Sequence, residues 1–268
     1  MSAGLAPPDY HVHTCFSDGH DELNAYVERA LELGLSELGI ADHLTPACLG
    51  KDGYYGIDQG RLDDYVEAVL AIAAAHSGLR VLLGIEADYV PEAADQTLAV
   101  LASYPFDYIL CSIHFVDGFG FIEQRYLEAD GWHDVNRVWR RYYETLIEAT
   151  QIQAFDVVAH LDIPKKSGRR PSDDISDLEQ AALLAISAAG MAIEINTSGL
   201  DRHAVAELYP TESLLKRAHA AGIALTFGSD AHCAAEVGSH FAEARELARV
   251  AGYESWLRLS DSELVAFR

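Results

Sequence analysis

The sequence predicts an α/β fold of the barrel type, and three observations predict it. Short apolar runs alternate with amphipathic helical stripes seven times along the 268 residues. The runs are apolar almost throughout, as strands covered on both faces must be. No linker rich in Pro, Gly or Ser, no low-complexity tract and no sequence repeat interrupts the series, so residues 1–268 read as a single domain.

The elements follow in order. The first run is "DYHVH", residues 9–13, where strand alternation puts His11 and His13 on the same face. Leu23, Tyr26, Val27, Ala30 and Leu31 then recur at helical spacing, with Gly34 as the stop. "LSELGIADH" reads as a short buried strand. Leu62, Tyr65, Val66, Val69 and Leu70 form the next stripe, ahead of the strand "RVLLGIEADY". A helix near 92–103 leads to "FDYILCSIH", and a longer one near 133–151 leads to "FDVVAH". Further helices near 174–189 and 211–221 lead to "MAIEINTSG" and "IALTFGSDAH", and helix 239–251 closes the series. "CLGKDGYYG" and "VDGFGF" read as long loops that follow strands. A doubly wound open sheet shares this alternation, but no G-x-G-x-x-G follows the first strand.

Half of the residues are apolar, enough for a sizeable core, and nothing in the composition suggests disorder. The 19 Lys and Arg stand against 42 Asp and Glu, a net charge of −23. That argues against a nucleic-acid partner, whose affinity comes from basic side chains neutralising phosphates. It also sets a puzzle for any phosphate ligand, which such a surface repels. Cys15, Cys48, Cys111 and Cys233 lack CxxC spacing and read as small buried hydrophobes in a reducing compartment. The start "MSAGLAPPDY" has neither the basic region nor the apolar run of a signal peptide. No stretch approaches the ~20 apolar residues that cross a bilayer. A soluble, cytoplasmic protein with no membrane partner is expected.

The informative feature is where polar residues fall. His13 ends the first strand, and Asp42 and His43 the second. Glu86 ends the third, with Asp88 just beyond it. His114 and His160 end the fourth and fifth, Asn196 the sixth, and Asp230 and His232 the seventh. In a parallel barrel these C-terminal ends open onto one face, where sites are built. A lone histidine at a strand end is more often a satisfied polar group than a ligand; the set is what argues. Six of the 12 histidines (His11, His13, His43, His114, His160 and His232) gather there with Glu86 and Asp230. Imidazoles mixed with carboxylates suit Zn, Mn or Fe better than Ca or Mg, and so many donors imply two or three ions. His20, His76, His133, His203, His219 and His240 fall on helices or loops and read as solvated or packed.

The motifs "DYHVHTCFSDG", "IADH", "GIEADY", "CSIHF", "AHLD", "EINTSG" and "FGSDAH" together resemble, in order, those of the polymerase-and-histidinol-phosphatase (PHP) metal-dependent phosphoesterases. "SIHFVDGFGF", "AHLDIPKK" and "NTSGLDR…LYP" are most similar to the histidinol-phosphate phosphatases within that family. The resemblance implies a distorted seven-stranded, TIM-like (β/α) barrel holding two to three divalent transition-metal ions. It implies that His11, His13, Glu86 and Asp230 bind one ion, that Glu86 bridges to a second held by His114 and His160, and that Asp18, His43 and His232 hold a third. Histidinol phosphate is the expected substrate, hydrolysed by a water that two ions activate. Glu86, Asp230, His232 and Arg202 are the residues expected to act on it. The metal charges answer the puzzle of an acidic protein that binds phosphate.

Arg202, Lys165 and Arg169 are the candidates to grip phosphate oxygens, while Lys166 and Arg170 read as solvated members of "PKKSGRRP". Asp117 and Asp88 are candidates to receive the ammonium or imidazole of histidinol. Two other functions remain open: a broader phosphoesterase acting on nucleotides or other small monoesters, and a non-catalytic metal-binding module.

Overall fold

The computed structural model describes residues 6–46, 55–121 and 134–267. Its centre is a curled parallel sheet. The strands are β1 (Glu37–Ile40), β2 (His43–Leu44), β3 (Arg80–Asp88), β4 (Tyr108–Ser112), β7 (Val157–Val158), β8 (Ala192–Asn196) and β9 (Leu225–Gly228). They run in the order β1-β3-β4-β7-β8-β9, with β2 also on β3. A small antiparallel hairpin, β5 (Phe115–Val116) with β6 (Phe119–Gly120), follows β4.

The leading segment 9–13 makes only isolated bridges, yet its hydrogen bonds reach both edges of the sheet. On one side Gly39 N donates to Asp9 O (2.7 Å) and Ala41 N to Val12 O (2.9 Å). On the other, Tyr10 N donates to Phe227 O (3.0 Å) and His13 N to Ala231 O (2.8 Å).

Helices cover the outside: α1 (Leu23–Leu33), α2 (Leu62–Ala75), α3 (Ala94–Leu101), α4 (Val135–Thr150), α5 (Ser176–Ala189), α6 (Glu212–Ala220) and α7 (Phe241–Ala251). The expected stop of α1 is present: Gly34 takes the left-handed conformation (φ 68°), which glycine adopts without a Cβ penalty. Among the described residues no helix is long and apolar enough to cross a membrane.

Period-two alternation divides the strands. Val81, Leu83, Ile85 and Ala87 of β3 face the helices and join the main core, as do Ile193 and Ile195 of β8. The opposite face carries Leu82, Tyr108, Leu110, Val157 and Ala192, which pack with Tyr10 in a second apolar cluster. Further along the same face of each strand the residues turn polar: Glu86 and Asp88, Ser112, then Glu194 and Asn196, all buried. The sheet interior is therefore oily at the start of the strands and polar at their ends. Tyr108 fits because Gly39 and Gly84 lack side chains; a Cβ on either would overlap its ring.

Expectations change at several further points. "LSELGIADH" is broken at Ala41 and Asp42, because the Asp42 carboxylate turns to accept from Thr14 N, Thr14 Oγ1 and Ser17 N. The helix near 92–103 is a 3₁₀ turn at Pro91–Ala93 followed by α3. Beyond the last helix an unexpected hairpin, β10 (Ser255–Arg258) with β11 (Glu263–Ala266), buries Trp256 and closes the apolar end, where Leu259 N donates to Tyr10 OH. Cys48, His133 and most of the loop "CLGKDGYYG" lie outside the described residues. Cys111 is buried as expected, but Cys15 and Cys233 are only partly so.

Candidate metal centre

The polar strand ends converge. Glu86 is fully buried at the middle, and five imidazoles surround it. His43 Nδ1 is 2.6 Å from its carboxylate, His160 Nε2 2.9 Å, His11 Nε2 3.3 Å, His13 Nε2 3.7 Å and His114 Nε2 3.8 Å. Asp230 adds a second carboxylate, 3.2 Å from His13 Nε2 and 3.8 Å from His11 Nε2. Asp18 stands on the outer side, 3.5 Å from His43 Nε2 and 3.4 Å from His232 Nε2. The rings lie close to each other as well, with His13 stacked on His43 at 4.1 Å and His114 4.9 Å from His160. All nine ligand candidates from the sequence meet in one place.

Four sets of donor atoms each lie within 4.8 Å of one another: His11, His13 and Asp230; His11, Glu86 and His160; His43, Glu86 and His114; and His13, His43 and His232. The fit to a metal rests on their unused lone pairs. His11 Nε2, both nitrogens of His13, His43 Nδ1, Glu86 Oε2 and His160 Nδ1 are buried without a hydrogen-bond partner. Each such atom costs about 1–3 kcal/mol if nothing binds it, and His11 Nε2 and His13 Nε2, 3.3 Å and 3.7 Å from Glu86 Oε2, face one volume that suits a cation. Burial, with His43 and His232 alongside, pushes the His13 pKa down to about 3, whereas burial at His43 is outweighed by the neighbouring Glu86 and Asp18 carboxylates, which raise its pKa to about 9. Burial opposes the charge on Glu86, yet His43 and His11 hold its carboxyl well below the usual range.

The polar loops beyond the strands differ from expectation in four places. Lys165 is fully buried away from the pocket: its ammonium donates to Asp162 (3.1 Å) and Leu208 O (2.6 Å) and lies over the Tyr209 ring. Its neighbour Lys166 is the half-buried one. Burial and the Arg202 charge lower its pKa, while Asp230, Glu86 and Asp18 act on it from the pocket. Asp88, expected to face the substrate, sits behind His114, 2.8 Å from its Nδ1, and accepts from Thr45 Oγ1 and Tyr55 OH. Asp117 is occupied by Arg137 and Arg141 on α4.

Arg202 is exposed and lines an open cleft of about 240 Å³ with Ser198, Asp201, Asp230 and His232. Arg169 is half-buried, its main chain bonded to Ser167 Oγ and Trp139 Nε1. His20 is exposed, its main-chain N–H bonded to His232 O.

Two residues that sequence reasoning passed over touch the cluster. Tyr55 packs edge-on to His43 (4.5 Å) with its hydroxyl 2.7 Å from His114 Nδ1. Glu194 lies against His11. Glu194 could have been found from the strand period, since it shares the inward face with Asn196, two residues on; Tyr55 sits in an irregular loop and carried no such signal.

The family model described as "PHP domain" matches residues 9–198. A probable histidinol-phosphatase of Deinococcus radiodurans is 34% identical over 248 residues, covering 91% of this chain and 94% of that protein. The histidinol-phosphatase of Bacillus subtilis is 28% identical, covering 86% and 95%. Among solved structures, a histidinol phosphate phosphatase from Lactococcus lactis, complexed with zinc, L-histidinol and phosphate, superposes with a TM-score of 0.77. It is 20% identical, and the match covers 98% of this chain and 100% of that one; the likeness is one of fold.

Proposed function

The chain belongs to the PHP domain family, and from that premise we propose that it is a metal-dependent phosphatase whose substrate is L-histidinol phosphate. The observation that carries the reading is the cluster of unpartnered imidazole and carboxylate donors around Glu86. In this reading residues 1–268 form one domain, and segment 9–13, bonded to both sheet edges, completes a distorted seven-stranded barrel in which β1 and β2 count as one interrupted strand.

His11, His13, Glu86 and Asp230 would hold one ion, with Glu86 shared toward His114 and His160, and Asp18, His43 and His232 toward a third. When bound, Zn, Mn or Fe supplies positive charge for phosphate oxygens and makes a water acidic enough to attack near neutral pH.

The chain's own residues do the rest. Arg202, at the cleft beside Asp230 and His232, offers a planar pair of donors to two phosphate oxygens. Lys166 takes the role expected of Lys165, adding a cation on the same side. Asp88 accepts from His114 Nδ1 and so turns Nε2 toward Glu86 and His160, the usual service of a carboxylate behind a metal-binding imidazole. Buried Glu86 stays ionised and keeps the imidazoles converged.

The test is phosphate release over a panel of monoesters with metal-reconstituted protein, together with rescue of a histidine-requiring strain. Release from histidinol phosphate well above nucleotides supports the reading. Equal release across the panel would make the protein a broader phosphoesterase, and none at all would leave a metal-binding module.

A further inference from the structure

We propose that Glu194, which is none of the expected metal ligands, is the positioning residue that sets the ring of His11 and the main chain of His160. The proposal rests on the reading of those histidines as ligands and on no particular substrate. Glu194 is fully buried on the inward face of β8. Both of its oxygens lie 3.0 Å from His11 Nδ1. A carboxylate accepts and does not donate, so this contact requires the proton of His11 on Nδ1. In the neutral ring that a bound cation requires, His11 Nε2, 3.3 Å from Glu86 and without a hydrogen-bond partner, then has its lone pair facing the pocket.

The same carboxylate holds a second ligand by its backbone. His160 has φ 26°, a conformation that a residue with a side chain rarely adopts. Its N–H donates to Glu194 Oε1 at 2.7 Å, fixing the turn that brings His160 Nε2 within 2.9 Å of Glu86 Oε1. Asn196 Nδ2 donates to Glu194 Oε1 as well (2.9 Å). The chain of contacts continues through Ser198 Oγ, 2.8 Å from Asn196 Oδ1 and 3.0 Å from Asp230 Oδ2. The neighbouring strand is built to admit this arrangement: a Cβ on Gly228 would overlap both the Glu194 carboxylate and His11. β8 therefore fixes two expected ligands, carried by segment 9–13 and the turn after β7, and reaches a third, Asp230, only through Ser198, while supplying none itself.

Glu194→Gln is the informative variant, because it keeps the shape and changes one donor. With the amide oxygen facing His160 N and Asn196, the amide N–H₂ faces His11 Nδ1, donor against donor, and favours the tautomer protonated on Nε2. We expect zinc affinity, measured against a competing chelator, to fall about tenfold to a hundredfold while circular dichroism and thermal unfolding of the metal-stripped variant stay near those of the metal-stripped parent. In zinc-loaded parent protein labelled with ¹⁵N-histidine, we expect His11 to show a directly bonded proton on Nδ1. A folded variant with unchanged zinc affinity, or a parent His11 lacking a proton on Nδ1, would overturn the proposal. The second readout needs no variant and so survives a failure of Glu194→Gln to fold. Neither depends on phosphate release, so a protein inactive on every monoester would leave both results interpretable.

Discussion

Lys165 and Lys166 are adjacent in sequence and opposite in environment. In the 3₁₀ turn that carries them (Ile163–Ser167) successive side chains diverge by about 120°, so one enters the protein and the other faces the pocket. Nothing in "PKKSGRRP" says which, and that is why the sequence alone names the lysine that is buried against Asp162. Lys165→Met strands Asp162 without its cation, and breaking a buried pair of this kind costs roughly 3–5 kcal/mol. Its signature should be a lower melting temperature. Lys166→Ala should melt like the parent and lose kcat/KM. If the two phenotypes were exchanged, the placement of these lysines would be wrong. Arg202→Ala should retain its metal and lose about tenfold to a hundredfold in kcat/KM, the size of one charge-assisted contact to phosphate. A loss of less than about twofold would return Arg202 to solvent. Glu86→Gln should abolish hydrolysis while the chain stays folded, with His76→Ala and His219→Ala as active controls. Near-normal turnover in Glu86→Gln would remove the shared carboxylate from the account.

The strands carry the chemistry by a simple rule of position. On the inward face β3 reads Leu82, Gly84, Glu86, Asp88, and β8 reads Ala192, Glu194, Asn196, so each begins in the apolar layer and ends in the polar one. That rule made the ligand strand ends legible, since a charged residue closing a buried run is costly unless something binds it. It also contained Asp88 and Glu194 as carboxylates behind His114 and His11, but periodicity alone does not say what an inward carboxylate touches. The hairpin β10–β11 was not legible, because two four-residue strands after the last helix leave no sustained pattern. The apolar layer has its own test. Gly84→Ala puts a methyl into the space filled by the Tyr108 ring, and overpacking of this sort costs about 1–3 kcal/mol. Denaturant unfolding should show that loss, with metal content unchanged in the folded fraction. A variant as stable as the parent would mean that the tyrosine layer is loosely packed.

At the scale of the whole molecule the question is how a chain with a net charge of −23 receives a phosphate dianion. The surface repels it, although Arg202 and Lys166 stand near the donor cluster. Two or three divalent ions would add roughly four to six positive charges at one point, reversing the local sign without altering the surface. Metal should then stabilise the fold as well as switch on activity, since a ligand that binds only the native state raises the melting temperature by linkage. Chelator-treated protein should melt lower and recover on adding zinc. The most direct measurement follows phosphate release from L-histidinol phosphate while Zn, Mn or Fe is titrated into the stripped protein. The account predicts no release without metal and activity that rises until two to three equivalents are bound. Full activity in the stripped protein, or fewer than one equivalent bound and no release with any of the three metals, would contradict it.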